Sequence, residues 1–161
     1  MSFMLILSDR LVIIRVTIKS PLGTQWMEWF IMKYTVLAEK AKQAMAAAYA
    51  PYSGFMVGAA LLCADGSIYT GCNIENGAYS PTLCAERTAF AKAVSEGKRE
   101  FTAIAVCGGK GGQITGRCTP CGVCRQVMAE FCREDFEIIL VKPEGYEMRT
   151  LSQLLPECFS L

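Results

Sequence analysis

Cys84-Ala85-Glu86-Arg87, read together with Pro120-Cys121-Gly122-Val123-Cys124, places three thiols and one carboxylate where they can converge on a single metal ion. The chain has no histidine, so a zinc site must be built from thiolates and carboxylates, and Ser-His and Cys-His nucleophilic mechanisms are excluded. Three protein ligands leave the fourth tetrahedral position open to water, which is the mark of a catalytic zinc site. If each cysteine group opens a helix, peptide N–H groups and positive dipole ends face the thiolates and offset their charge. Arg87 could donate hydrogen bonds to the ligand sulfurs and drain further charge from them.

Working outward, Cys84 to Glu96 has the composition of a helix and Cys121 to Cys132 reads as another. Thr102 to Cys107 and Phe136 to Val141 read as buried strands, with a Gly-rich connection from Gly108 to Gly116. Upstream, Phe55 to Cys63 is a nearly continuous apolar run, followed after Asp65-Gly66 by Ile68 to Asn73. That pattern predicts a β-hairpin. Lys33 to Tyr49 is rich in helix formers and carries Val36, Leu37, Ala41, Met45 and Ala48 near one face, with Pro51 as the stop. Gly71 to Pro81 reads as a loop, and Leu151 to Leu155 as a short terminal helix. Helices alternating with buried strands after a hairpin predict an α/β protein with a mixed sheet covered on both faces.

The 161 residues suffice for one good core, and a net charge of +1 from sixteen basic and fifteen acidic residues predicts no nucleic-acid track and no membrane-attracted face. A small neutral ligand fits this balance. Nine cysteines are an odd number, and three fall between Cys118 and Cys124, so metal binding and reduced thiols in a reducing cytoplasm account for them better than a disulfide framework. The first 31 residues read as an N-terminal extension. The apolar runs Phe3 to Leu7 and Leu11 to Ile18 are broken by Asp9, Arg10 and Arg15, too soon for a membrane span, and lack the order of a secretory signal. The favoured expectation is that residues 1–31 form a short strand or loose extension; because helical character begins only near Lys33, the rival reading is a natural start at Met27 or Met32, with the residues upstream an over-extended reading frame. Residues 32–161 would be the folded domain.

On residue types alone, two other readings of the cysteines stand. Cys118, Cys121 and Cys124 make overlapping C-x-x-C pairs, so Cys84 could complete a closed four-thiolate structural site, or a C-x-x-C at a helix start could serve redox chemistry.

Cys84-Ala85-Glu86 followed by Pro120-Cys121-Gly122-Val123-Cys124-Arg125-Gln126 resembles the cytidine deaminases in their small three-cysteine form. Ala50-Pro51-Tyr52-Ser53, Phe55, Val57-Gly58-Ala59-Ala60-Leu61 and Asn73-Ile74-Glu75-Asn76 are similar to the family's sequence in the same order. The resemblance runs from Lys33 to Phe159. It implies a three-layer α/β/α sandwich with a mixed five-stranded sheet, usually assembled as a homotetramer, and hydrolysis of cytidine and 2′-deoxycytidine to their uridine counterparts in pyrimidine salvage.

By that resemblance Cys84, Cys121 and Cys124 would hold one Zn²⁺. Glu86 would take a proton from water on the metal, pass it to N3 of cytosine, and then protonate the exocyclic amine so that ammonia leaves after attack at C4. Phe55 would pack against the pyrimidine, Asn73 and Glu75 would bind the ribose 3′-hydroxyl, and the Ala85 N–H would meet the base carbonyl. Gly77, Tyr79 and Phe159 fall where the family reaches into a neighbouring subunit's pocket. In the family the first cysteine of the pair follows proline, which selects Cys121 after Pro120 and leaves Cys118 as a non-ligand. Met56 stands where proline is usual. Two rival functions remain: a deaminase of nucleoside antibiotics of the blasticidin type, which a plain-ribose pattern at Asn73 to Asn76 disfavours, and a non-catalytic structural zinc or thiol-redox module.

Overall fold

The computed structural model describes the backbone of residues 2–7, 10–15 and 24–159 and the side chains of residues 32–159. The chain divides into two compact units, Met1–Lys33 and Tyr34–Leu161. In the first, β1 (Ser2–Leu7) and β2 (Arg10–Arg15) pair antiparallel. Of the early residues read from sequence, Asp9 and those from Val16 to Gly23 lie outside the described ones. Helix α1 spans Thr24–Met45, so helical order starts nine residues ahead of the expected Lys33. It also stops earlier than Tyr49. The backbone tightens through i→i+3 bonds at Ala46, Ala47 and Ala48, and the Tyr49 N–H then donates to the Asn73 carbonyl rather than continuing the helix.

The second unit holds a five-stranded sheet in the order β4-β3-β5-β6-β7, formed by β3 (Phe55–Cys63), β4 (Ile68–Cys72), β5 (Phe101–Lys110), β6 (Glu137–Val141) and β7 (Tyr146–Thr150). Only β5 and β6 run parallel, and the helix between them makes the crossover that parallel pairing requires. The Asp65-Gly66 hairpin forms as expected, with Gly66 at φ +87°, a conformation that favours glycine.

Side-chain alternation divides the core in two. Ala59, Leu61, Ile104, Val106, Ile138 and Leu140 face α2 (Ala85–Ser95) and α3 (Gly122–Phe131). Ala60, Ala105, Cys107, Ile139 and Val141 face the Tyr34–Met45 part of α1. Both faces of β5 and β6 are therefore covered, which is why those strands read as unbroken apolar runs. Phe90 of α2 meets Phe101 of β5 edge-on at 5.0 Å and stacks on Phe131 of α3 at 6.0 Å, fastening the two site-bearing helices to each other and to the sheet. A final helix, α4 (Leu151–Leu154), starts with a reciprocal capping box between Thr150 and Gln153. The result is an α/β/α sandwich with a mixed five-stranded sheet.

Gly71 of β4 governs how closely α2 approaches. A Cβ there would collide with the Ala85 carbonyl and lie 2.5 Å from the Ala89 nitrogen, both rigid backbone atoms of the helix that carries Glu86. Gly71→Ala is expected to destabilise the fold by about 2–3 kcal/mol through overpacking, measured by urea unfolding followed by circular dichroism.

Candidate active site

Cys84 and Cys121 are the N-cap residues of α2 and α3, and Cys124 lies in the first turn of α3. Neither cap side chain accepts the usual hydrogen bond from its helix, so the sulfur lone pairs stay available for another partner. The sulfurs of Cys84 and Cys121 are 3.7 Å apart and those of Cys121 and Cys124 are 3.5 Å apart; all three lie within 4.8 Å of one another. Among the described residues this is the group of cysteines and carboxylates that could hold a metal ion.

The electrostatics suit a cation. A hydrogen bond with the Cys124 thiol, joined by those from Arg87 and Cys121, pulls Cys84 down to about 5 against the opposing effect of burial. The same bond to Cys84, together with burial, pushes the Cys124 thiol upward, so Cys124 holds its proton against Cys84, a proton that a divalent ion would displace on binding. Arg87 reaches in from α2: its Nη2 donates to the Thr82 carbonyl at 2.6 Å and approaches Cys84 Sγ at 3.9 Å. Arg87 Nε is buried with no hydrogen-bond partner. A guanidinium that reaches Cys84 and keeps a buried N–H unpartnered fits a site in which the sulfurs carry negative charge as thiolate ligands.

Glu86 follows Cys84 by two residues in the first turn of α2 and is only 4% exposed. Burial, reinforced by the charge on Cys84, raises its carboxyl above the ordinary range. A carboxyl whose proton affinity is raised in this way is suited to accept and return protons.

Cys118 is separate from the thiol triad. Its Sγ and the Phe55 ring both crowd Gly108, each 2.9 Å from where a Cβ would sit. Burial, with the negative charges of Glu86, Cys107 and Cys84, pushes its thiol up to about 12. Asn73 is 8% exposed; its Oδ1 accepts from the Val57 N–H at 2.7 Å and its Nδ2 donates to the Phe55 carbonyl at 2.9 Å. Glu75 accepts from the N–H groups of Tyr52 and Ser53 and from the Ser53 hydroxyl, contacts that lower its pKa. Asn73 and Glu75 thus both clamp the segment carrying Phe55. Ala85 is fully buried at the start of α2.

The residues expected at a neighbour's pocket stand outward. Tyr79 is 77% exposed in a left-handed conformation at φ +58°, and Phe159 is 67% exposed. Gly77 lies under Tyr52, whose hydroxyl would be 2.8 Å from an added Cβ.

Two residues of the quoted motifs, Ser53 and Arg125, received no role from sequence. Ser53 carries an ST-turn signal in Ser53-Gly54-Phe55, its hydroxyl accepting from the Phe55 N–H two residues on. Arg125 donates through Nε to the Pro120 carbonyl at 2.8 Å and through Nη1 to the Leu154 carbonyl at 2.6 Å, tying the loop ahead of Cys121 to α4. Its local sequence gives no hint of that second partner.

Residues 32–140 match the family model described as the cytidine and deoxycytidylate deaminase zinc-binding region. The chain belongs to this family. It is 54% identical over 125 residues to the cytidine deaminase of Sporosarcina psychrophila, covering 77% of this chain and 89% of that one. To the cytidine deaminase of Halalkalibacterium halodurans it is 48% identical over 130 residues, covering 80% and 96% respectively. The crystal structure of cytidine deaminase from Burkholderia pseudomallei superposes with a TM-score of 0.72 at 44% identity, over 78% of this chain and 98% of that one. The α/β/α architecture is that of the cytidine deaminase fold, and the thiol triad falls inside the zinc-binding region that defines the family.

Proposed function

We infer that this protein is a zinc-dependent hydrolase that converts cytidine and 2′-deoxycytidine to uridine and 2′-deoxyuridine with release of ammonia. The observation that carries this reading is the buried, proton-avid Glu86 two residues beyond Cys84, on the helix whose N-terminus joins the thiol triad.

Cys84, Cys121 and Cys124 are the residues that would hold the zinc ion. When bound, the metal supplies Lewis-acid activation of the attacking water. Glu86 would take one proton from the attacking water and hand it to N3 as the water oxygen bonds to C4, then carry the remaining hydroxyl proton to the amine, so that the C4–N bond breaks, the C4 carbonyl forms and ammonia leaves. Its enclosure on α2 keeps the proton among neighbouring atoms rather than releasing it to solvent. Arg87 withdraws charge from Cys84, which favours the acidity needed when three thiolates surround one cation.

Phe55 packs against the base and the Ala85 N–H meets its carbonyl. Asn73 and Glu75 take the ribose 3′-hydroxyl, and their remaining hydrogen-bonding capacity supports that role. Asn73 has one amide hydrogen uncommitted, Glu75 has one of its roughly four lone-pair sites left, and a sugar hydroxyl needs one donor and one acceptor.

Residues 32–161 form the deaminase domain in this reading, with residues 1–31 as an extension; the family match beginning at residue 32 and the compact unit beginning at Tyr34 support it. A homotetramer is the proposed assembly, since exposed Tyr79 and Phe159 would gain cover and complete a neighbour's pocket together with Gly77. The proposed compartment is the cytoplasm and the proposed role pyrimidine salvage. Nine free thiols favour a reducing compartment, and no helix among the described residues is long and apolar enough to cross a membrane.

The test is to incubate zinc-replete protein with cytidine and, separately, with 2′-deoxycytidine, and to follow both the absorbance change on conversion to the uridine counterpart and ammonia release. Turnover of both nucleosides supports the reading, whereas zinc retention without ammonia release replaces it with a structural thiol-zinc module.

A further inference from the structure

The Ser53 hydroxyl joins Glu75 to the segment that carries Phe55. It donates to Oε1 of Glu75 at 2.5 Å and accepts from the Phe55 N–H at 2.9 Å. Oε2 of the same carboxylate is held by the N–H groups of Tyr52 and Ser53 at 2.9 and 3.2 Å. Three of the roughly four lone-pair sites of Glu75 are therefore committed, and the fourth sits on Oε1 beside the Ser53 hydroxyl. Gly54, at φ +64°, makes the bend that lets a side chain at 53 reach both Glu75 and the N–H of residue 55.

We propose that Ser53 is a positioning residue for nucleoside recognition: its hydroxyl aims the last free lone pair of Glu75 at a sugar hydroxyl while locking the backbone that presents Phe55 to the base. This rests on the roles proposed above for Glu75 and Phe55. The hydroxyl has one proton and spends it on the carboxylate, so the Phe55 N–H must be met by a lone pair of the same oxygen. Displacement of one partner is thereby transmitted to the other. Without Ser53, Oε1 keeps no protein donor and its carboxylate can turn about the bonds from Tyr52 and Ser53 N–H. The bond lost is one to a charged acceptor, which is stronger than a neutral one.

Ser53→Ala is expected to raise KM for cytidine roughly tenfold while kcat falls by no more than about twofold, the pattern of lost ground-state binding. With 2′,3′-dideoxycytidine, which offers Glu75 no 3′-hydroxyl, the KM of wild type and variant should agree within about threefold. Ser53→Thr keeps the hydroxyl and should restore the cytidine KM to within about threefold of wild type. Uridine affinity, measured by calorimetry on zinc-loaded proteins, should weaken roughly tenfold in Ser53→Ala without any turnover being needed. Thermal unfolding of all three proteins checks that the loop change has not unfolded the domain.

An unchanged cytidine KM and uridine affinity in Ser53→Ala would overturn the proposal, as would equal losses on cytidine and the dideoxynucleoside, which would leave Ser53 acting on Phe55 alone. Absence of cytidine turnover in the wild type is a different failure, because it removes the underlying functional reading.

Discussion

Glu86→Gln is expected to reduce kcat for cytidine by about 10⁴-fold, the upper range for losing a positioned acid-base group, because one residue serves successive proton transfers. Glutamine has nearly the same shape but cannot accept a proton and return it. Zinc content should stay at about one per chain, since the metal ligands in this reading are the three thiols and Glu86 is not among them. Stability should not fall. The carboxyl sits 4% exposed with its proton affinity raised by burial and then by Cys84, so its ionised form is disfavoured in the folded state. A group whose folded pKa is raised loses stability as pH climbs from its unfolded to its folded value, and the neutral amide escapes that loss. Compared metal-free at pH 7, Glu86→Gln should therefore melt no lower than wild type. Steady-state kinetics, elemental zinc analysis and a melting curve check the three parts; a variant within tenfold of wild-type kcat would remove Glu86 from the chemistry.

The thiol triad and the helix starts that bring it together were readable in sequence because their signals are local. Cys84 and Cys121 stand where apolar-periodic segments begin, so the two helix starts could be placed to within a residue, each cysteine proving to be the N-cap just ahead of its helix, and Asp65-Gly66 marked the hairpin by its turn chemistry. What escaped reading depended on contacts distant in the chain. Gly108 and Gly109 looked like the start of a loop, yet they pair with Val57 and Met56 inside β5, because a chain without Cβ atoms lets the Gln113 carbonyl fold directly over Gly109. Strand β7 escaped because Tyr146–Thr150 is short, carries charges at Glu147 and Arg149, and lies at a sheet edge with one neighbour, so it shows no apolar run. The early end of α1 is set by the Asn73 carbonyl, 24 positions beyond the Tyr49 N–H it captures, and helix propensity in Ala46-Ala47-Ala48 points the other way. Ser53 belongs with these: its ST-turn is local, but its partner Glu75 is not.

Cys84→Ser should weaken zinc binding by more than the roughly 10–100-fold seen when a residue merely supporting a ligand is lost, leaving less than about 0.1 zinc per chain after dialysis against a mild chelator and no measurable cytidine turnover. Serine keeps the N-cap position and can even cap α2 better than cysteine, so a lost helix start cannot account for the change. It fails as a ligand because a hydroxyl does not ionise near neutral pH, whereas Cys84 is drawn down to about 5 by Cys124, Arg87 and Cys121. The melting temperature in excess zinc should drop toward that of metal-free wild type, since a ligand that binds only the folded chain stabilises it in proportion to the logarithm of its concentration over Kd. Cys118→Ser is the matched control. Its thiol is pushed up to about 12 and packs over Gly108 beside Phe55, outside the triad, so zinc content should remain near one. Elemental analysis of the two variants separates the possible ligand sets: zinc kept by Cys84→Ser and lost by Cys118→Ser would move the site onto the overlapping C-x-x-C pairs, detach it from α2, and leave Glu86 without a metal to serve.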